Sequence, residues 1–186
     1  MGADDSRDED LMLRYRDGDT AAFDTLYARH RGPLFRYLLR QCGRRSIAEE
    51  LFQDVWTNVI RASARYEVKA KFSTWLYRIA RNRLVDHYRA ANPASCTSLD
   101  DDDPPALAAD SSSEPARRVA AARRAERLMA ALAALPAEQR EAFMLREEGG
   151  LGLDEIAEVT GVGRETAKSR LRYAVARLRR ALEEET

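Results

Sequence analysis

The chain has 186 residues, room for one large or two small domains, and its composition is dominated by Ala, Leu, Arg and Glu. Thirty-one Lys and Arg balance thirty-one Asp and Glu, a net charge of zero that says little about partners. No apolar run approaches the ~18 residues of a membrane span, the first ten residues are acidic and polar unlike a secretory signal, and two cysteines make no disulfide framework. The expectation is a cytoplasmic protein. Few windows alternate with period two, which points to an all-α fold.

The zero net charge hides a strong asymmetry. Residues 1–10 hold five acids and one base, residues 11–92 sixteen bases and eight acids, residues 93–116 six acids and no base, and residues 117–186 fourteen bases and twelve acids. A basic N-terminal part is therefore followed by an acidic stretch.

In chain order, a short helix is expected around Glu9–Arg16, ended by Gly18, with Asp19 or Thr20 capping the next. The second helix spans about Ala21–Gln41, with Phe23, Leu26, Tyr27, Leu34, Tyr37 and Leu38 as core and Pro33 as a potential kink. Ser46, followed by Glu49 at capping-box spacing, predicts the start of a third helix that runs to about Ala62. A fourth starts near Ser73 and reaches about Ala90, with Leu76, Ile79, Ala80, Leu84 and His87 inward.

The segment KFSTWLYRIARN, residues 71–82, interleaves aromatics with bases: Phe72, Trp75, Tyr77 and Tyr88 among Lys69, Lys71, Arg78, Arg81, Arg83 and Arg89. That mixture suits unpaired DNA, because ring faces stack on bases at about 1–3 kcal/mol each while cations track phosphates. Ordinary packing is the competing reading for Phe72 and Trp75, since aromatics at helical spacing usually belong to a core.

Residues 92–115, NPASCTSLDDDDPPALAADSSSEP, are rich in Pro, Ser and Asp and offer little to bury, so they read as a linker. It separates an N-terminal helical domain of about 8–91 from a C-terminal one of about 116–184. Fully extended, its ~24 residues span at most about 80 Å, more than two turns of duplex at 3.4 Å per base pair. Cys42 and Cys96 show no CxxC spacing. A disulfide between them stays open on sequence grounds, and two isolated thiols read as reduced residues.

The C-terminal part begins with an Arg- and Ala-rich helix of about Ala116–Ala134. Leu135-Pro136 then opens a helix through about Glu147, with proline at a tolerated first-turn position and Phe143, Met144 and Leu145 as core. The chain closes with LDEIAEVTGVGRETAKSRLRYAVARLRRAL, residues 153–182. Ile156, Ala157 and Thr160 share one face of a short helix, Gly161 tolerates the positive φ of a tight turn, and Ala157 is small enough for close packing. The following helix repeats Ala167, Leu171, Ala174, Leu178 and Leu182 at steps of three or four, and Arg164, Glu165, Lys168, Ser169 and Arg172 stand opposite. This is a helix-turn-helix pattern, in which the start of the second helix meets base edges in the major groove. Arg and Lys donate to guanine and Glu accepts from cytosine, whereas Arg177, Arg179 and Arg180 suit phosphates or plain solvation. A solvated helical hairpin is the bland alternative; the small residue, the glycine turn and the basic face together argue against it.

AEELFQDVW (residues 48–56), FSTWLYRIARN (72–82) and LPAEQREAFMLREEGGLGLDEIAEVTGVGRETAKSRL (135–171), jointly and in this order, resemble the bacterial sigma factors of the extracytoplasmic-function group. The resemblance covers about residues 10–91 and 117–183. It implies two small helical domains, a four-helix region 2-like one and a region 4-like helix-turn-helix one, on an acidic flexible linker. It further implies that Glu49, Glu50, Gln53, Asp54 and Trp56 belong to the segment that binds the clamp of core RNA polymerase. Lys69, Lys71, Phe72, Ser73, Thr74, Trp75, Arg78 and Asn82 would serve minus-10 recognition and melting, with the Glu67–Lys71 loop capturing a flipped base. That loop lacks the glycines and serines common in the family, so base preferences do not carry over. Arg164, Glu165, Lys168, Ser169 and Arg172 would read the minus-35 element. Asp100–Asp103 resemble the negatively charged connector that occupies the polymerase channel later used by RNA. The implied partners are core RNA polymerase, promoter DNA as duplex and as melted non-template strand, and an anti-sigma factor of the kind that often holds the family inactive.

Two other classes compete. A stand-alone helix-turn-helix regulator would bind duplex DNA tightly without polymerase, and residues 48–56 and 72–82 argue against it. A nuclease is disfavoured by the two histidines, His30 and His87, and by the lack of a convergent acid cluster. No catalytic motif, phosphate loop, metal-ligand spacing or cofactor motif is present, so the expectation is a non-enzyme with no metal and no cofactor.

Overall fold

The computed structural model describes residues 6–91 and 115–183, and all of its regular elements are helical. They are α1 (Asp8–Arg16), α2 (Thr20–Cys42), α3 (Arg45–Ala62), a 3-10 turn (Ser63–Arg65), α4 (Phe72–Ala91), α5 (Pro115–Ala133), α6 (Ala137–Glu147), α7 (Leu153–Thr160) and α8 (Arg164–Glu183). The linker sequence, with Cys96 and Asp100–Asp103, lies outside the described residues.

Helices α1 to α4 surround one core. Leu26, Leu34 and Leu38 of α2 meet Ala48, Leu51, Val55 and Val59 of α3 and Leu76, Ala80 and Leu84 of α4, all buried. Asp19 caps α2 as expected: its carboxylate accepts from the amides of Ala21 and Ala22. Pro33 sits inside α2, which is assigned as one unbroken helix. Phe23 and Tyr27 are only partly buried and join a ring cluster with Phe52 and Trp56 at the edge of the core.

Two expected starts shift. The third helix is flanked by Arg44, not Ser46, and begins at Arg45; no side chain caps it. Glu49 instead accepts from Arg45 one turn earlier, at 2.9 Å, so the local ion pair takes the carboxylate that a capping box needs. Pro136 stands in the capping position of α6 rather than as its first helical residue.

In the C-terminal part, Leu132, Leu135, Ala142, Met144, Leu145, Leu151, Ile156, Val159, Ala167, Ala174 and Leu178 form the core. The α8 stripe runs inward as predicted, except that Leu171 is half-buried and Leu182 is 37% exposed near the end of the helix. Gly161 turns the chain between α7 and α8 at φ 69°, a left-handed conformation that glycine adopts without steric penalty. Glu155 reaches back to the Gly152 amide at 2.6 Å and secures the start of α7.

The two helical groups pack on each other, chiefly α4 against α7 and α2 against α6. Among the described residues, four ion pairs cross this seam, each with its base in the N-terminal group and its acid in the C-terminal one. They are Arg36–Glu148 at 2.7 Å, Lys71–Glu155 at 3.0 Å, Arg78–Glu158 at 3.2 Å and Arg81–Glu141 at 3.1 Å. Tyr77, fully buried, contacts Tyr37 edge-on at 5.1 Å and faces Gly149, where a Cβ would meet its ring at 3.1 Å. The absent side chain at Gly149 thus lets the chain pass close to Tyr77.

Candidate nucleic-acid and polymerase interface

Three exposed faces carry the predicted residues. On α3, Glu49, Glu50, Gln53 and Asp54 all point to solvent. Behind them Leu51, Val55 and Trp56 are buried, and Trp56 packs against Tyr27 at 4.9 Å and Phe23 at 5.7 Å. Trp56 therefore does not present itself to a partner, as its place in the sequence suggested; it fixes α3 from within and leaves the polar row outward.

On α8, Arg164, Glu165, Lys168 and Arg172 are exposed and Ser169 is half-buried. Arg164 is held by Asp154 of α7 at 2.8 Å, and Lys168 approaches Glu165 at 3.5 Å. Arg164, Lys168 and Arg172 converge on a groove of about 710 Å³, together with Arg146 of α6 and Arg179 further along α8. Leu153, Leu171 and Val175 supply its apolar lining. Glu165 and Ser169 lie beside this groove and do not line it. Positive rims over an apolar floor suit a duplex, since cations hold phosphates while small apolar groups meet thymine methyls.

Tyr173 escaped the sequence reading. It is 51% exposed and carries the Arg172 guanidinium over its ring at 4.9 Å, a cation–π contact that orients the arginine. The signal was present, as an aromatic off the apolar stripe and beside a predicted base-reading arginine.

On α4 and the loop before it, Lys69, Lys71 and Asn82 are exposed, and Ser73, Trp75 and Arg78 are half-buried. Phe72 and Thr74 are fully buried. Phe72 sits among His30 at 5.1 Å, Trp75 at 5.8 Å and Tyr66 at 6.5 Å, so packing, the bland alternative, describes this ring. Trp75 also meets Tyr66, at 5.0 Å, and keeps part of its surface open. Thr74 is buried at the start of α4, the helix that packs against α7. Lys71 and Arg78 of this face are the same cations that pair with Glu155 and Glu158 across the seam. Burial pushes the Glu155 carboxyl up, but the Gly152 amide and Lys71 outweigh it and hold the group below the usual carboxylate range.

Cys42 is a free thiol that donates to the Arg44 carbonyl at 3.3 Å, and burial pushes its pKa up, away from the reactive thiolate. Among the described residues no group of His, Cys, Asp and Glu is placed to hold a metal ion, and no helix is long and apolar enough to cross a membrane.

With this geometry in place, comparison with known proteins decides the family. The Sigma-70 region 2 model matches residues 26–93, and the Sigma-70 region 4 model matches residues 125–178. This chain belongs to the sigma-70 family. RNA polymerase sigma factor CarQ of Myxococcus xanthus is 33% identical over 186 residues, covering 93% of this chain and 96% of that protein. ECF RNA polymerase sigma factor SigM of Mycobacterium tuberculosis is 33% identical over 182 residues, covering 97% and 87%. The chain is thus an alternative sigma factor of the extracytoplasmic-function group. The same fold is seen in the sigma factor RpoE, solved with the anti-sigma factor NepR from Bartonella quintana, at TM-score 0.70 and 21% identity over 88% of this chain and 98% of that one. It is seen again in CnrH, solved with the cytosolic domain of CnrY, at TM-score 0.66 and 23% identity over 96% and 99%.

Proposed function

We propose that this sigma factor divides its work among the three faces described. The exposed row Glu49, Glu50, Gln53 and Asp54 on α3 docks on a basic surface of core RNA polymerase. The groove side of α8, with Arg164, Lys168 and Arg172 and with Glu165 and Ser169 beside it, reads the minus-35 duplex. Loop 67–71 with Trp75, Arg78 and Asn82 engages the minus-10 element and its melted strand, where extruding a base costs a few kcal/mol that stacking and phosphate contacts offset. Residues 8–91 and 116–184 act as the two functional domains. The polymerase performs the phosphodiester chemistry and the sigma factor itself catalyses nothing. It works in the bacterial cytoplasm, where an anti-sigma protein is a fitting antagonist.

The observation that carries this reading is the convergence of Arg164, Lys168 and Arg172 on one groove while the opposite stripe of α8 is buried. Two variants separate the faces. Lys168→Ala with Arg172→Ala should lower minus-35-dependent transcription about tenfold or more, each lost base contact being worth about 1–3 kcal/mol, and leave core polymerase affinity intact. Asp54→Lys should do the reverse, weakening polymerase binding with the helical content unchanged. Equal loss of core binding in both variants would break the assignment.

A further inference from the structure

None of the three faces uses α1, yet α1 holds both ends of the loop before α4. Lys71 occupies the position that caps a helix: its carbonyl accepts the Trp75 amide at 3.1 Å, but its ammonium offers no acceptor to the first-turn N–H groups. The cap comes from elsewhere in the chain. Glu9 of α1 is 8% exposed, and its Oε1 accepts from the Phe72 amide at 2.7 Å, in a buried bond across 63 residues of sequence. Arg7 donates to the other carboxylate oxygen at 3.1 Å. At the opposite end of the loop, Arg16 donates to the Tyr66 carbonyl at 3.4 Å, and the buried Tyr66 ring packs on Phe72 and Trp75. Helix α1 is itself seated on α2, where Asp8 accepts from Arg29 at 2.5 Å and meets His30 Nε2 at 2.7 Å.

A carboxylate at a helix N-terminus joins a charge-assisted hydrogen bond to a favourable interaction with the helix dipole. Burial pushes the Glu9 carboxyl up, but the Phe72 amide and Arg7 outweigh it and keep the group below the usual carboxylate range, so the cap is ionised at neutral pH. Without it the Phe72 amide is left buried and unpaired, the first turn of α4 frays, and loop 67–71 gains length and freedom.

We propose that Glu9 is a positioning residue for promoter opening: from α1 it caps α4 and so fixes loop 67–71 and the Trp75 ring in the geometry that captures the minus-10 strand, without touching DNA. The inference rests on the minus-10 reading of this loop.

The test uses the full chain reconstituted with core RNA polymerase on a promoter identified from its own transcripts. Open-complex formation on duplex, base discrimination on pre-opened minus-10 strands, core affinity and minus-35 duplex binding are measured for each variant. Glu9→Ala should open the promoter about tenfold more slowly or worse, with base discrimination reduced, while core affinity and minus-35 binding stay within about twofold of wild type. Glu9→Gln keeps an acceptor oxygen without the charge and should fall between the two, about threefold slower, which supplies a readout even if the alanine variant unfolds. Wild-type opening and discrimination in a folded variant would overturn the inference. So would a loss of core affinity and minus-35 binding in step with opening, which marks a residue needed only for folding. If the wild-type holoenzyme opens no specific promoter, the minus-10 reading fails and takes the inference with it; if wild type opens and the variants match it, the inference alone fails.

Discussion

Gly161 is where a single residue governs the DNA-reading motif most directly. Its φ of 69° costs an L-residue about 1–2 kcal/mol, yet a Cβ at this position would meet nothing within 4 Å, so backbone strain is the whole penalty. Gly161→Ala should lower stability by about 1 kcal/mol or more, and Gly161→Asn should recover part of it because Asn tolerates the left-handed region. Gly163, which has equal space and no positive φ, is the control: Gly163→Ala meets no backbone strain and should cost only the poorer cap it gives α8, less than Gly161→Ala costs. Thermal denaturation of the three variants measures this directly, and equal losses at both positions would contradict it. Gly161 was readable in the sequence because its turn falls between two periodic segments. Gly149 was not: a Cβ there would meet the Leu151 side chain and the Leu145 carbonyl of the same turn, and the ring of Tyr77, which only the folded chain brings near.

At the scale of elements, the helices of the described residues begin and end within a few residues of where stripes, caps and turn signals in the sequence put them. What it missed were features made by tertiary contact. Ser46 looked like a cap, but the helix starts at Arg45 and Glu49 is engaged by that arginine. Thr74 and Trp56 were expected as contact residues from the family resemblance, and Phe72 from its aromatic type with packing as the alternative; all three are buried by neighbours distant in sequence. Helix α4 carries two buried faces, not one. Leu76, Ala80 and Leu84 enter the core of the N-terminal group, as the stripe indicated, while Thr74 and Tyr77 turn toward the C-terminal group, which no local pattern announces. The α8 face was the most legible part of the site, because an exposed basic row opposite an apolar stripe is already a pattern in the sequence.

On the scale of the whole molecule, the seam between the helical groups bears on the minus-10 face. Lys71 and Arg78 are paired with Glu155 and Glu158, and Thr74 is buried, so the minus-10 role proposed for this face of α4 requires it to separate from α7 first. The pairs are largely solvent-facing, each worth about 0–1 kcal/mol, and salt screens them over a Debye length that shrinks from about 10 Å at 0.1 M to 3 Å at 1 M. Raising the salt from about 0.1 M to 1 M should therefore increase the radius of gyration in small-angle scattering. Glu155→Lys with Glu158→Lys should expand the chain already at low salt. Dimensions unchanged in both experiments would show that the Lys71–Glu155 and Arg78–Glu158 pairs do not hold the seam closed.

The central claim is that this chain makes RNA polymerase promoter-specific. The most direct measurement reconstitutes it with purified bacterial core polymerase on fragmented genomic DNA and sequences the transcripts. Discrete start sites sharing two upstream motifs, and absent with core enzyme alone, are the predicted result. No specific starts, together with tight sequence-specific DNA binding in the absence of polymerase, would contradict it.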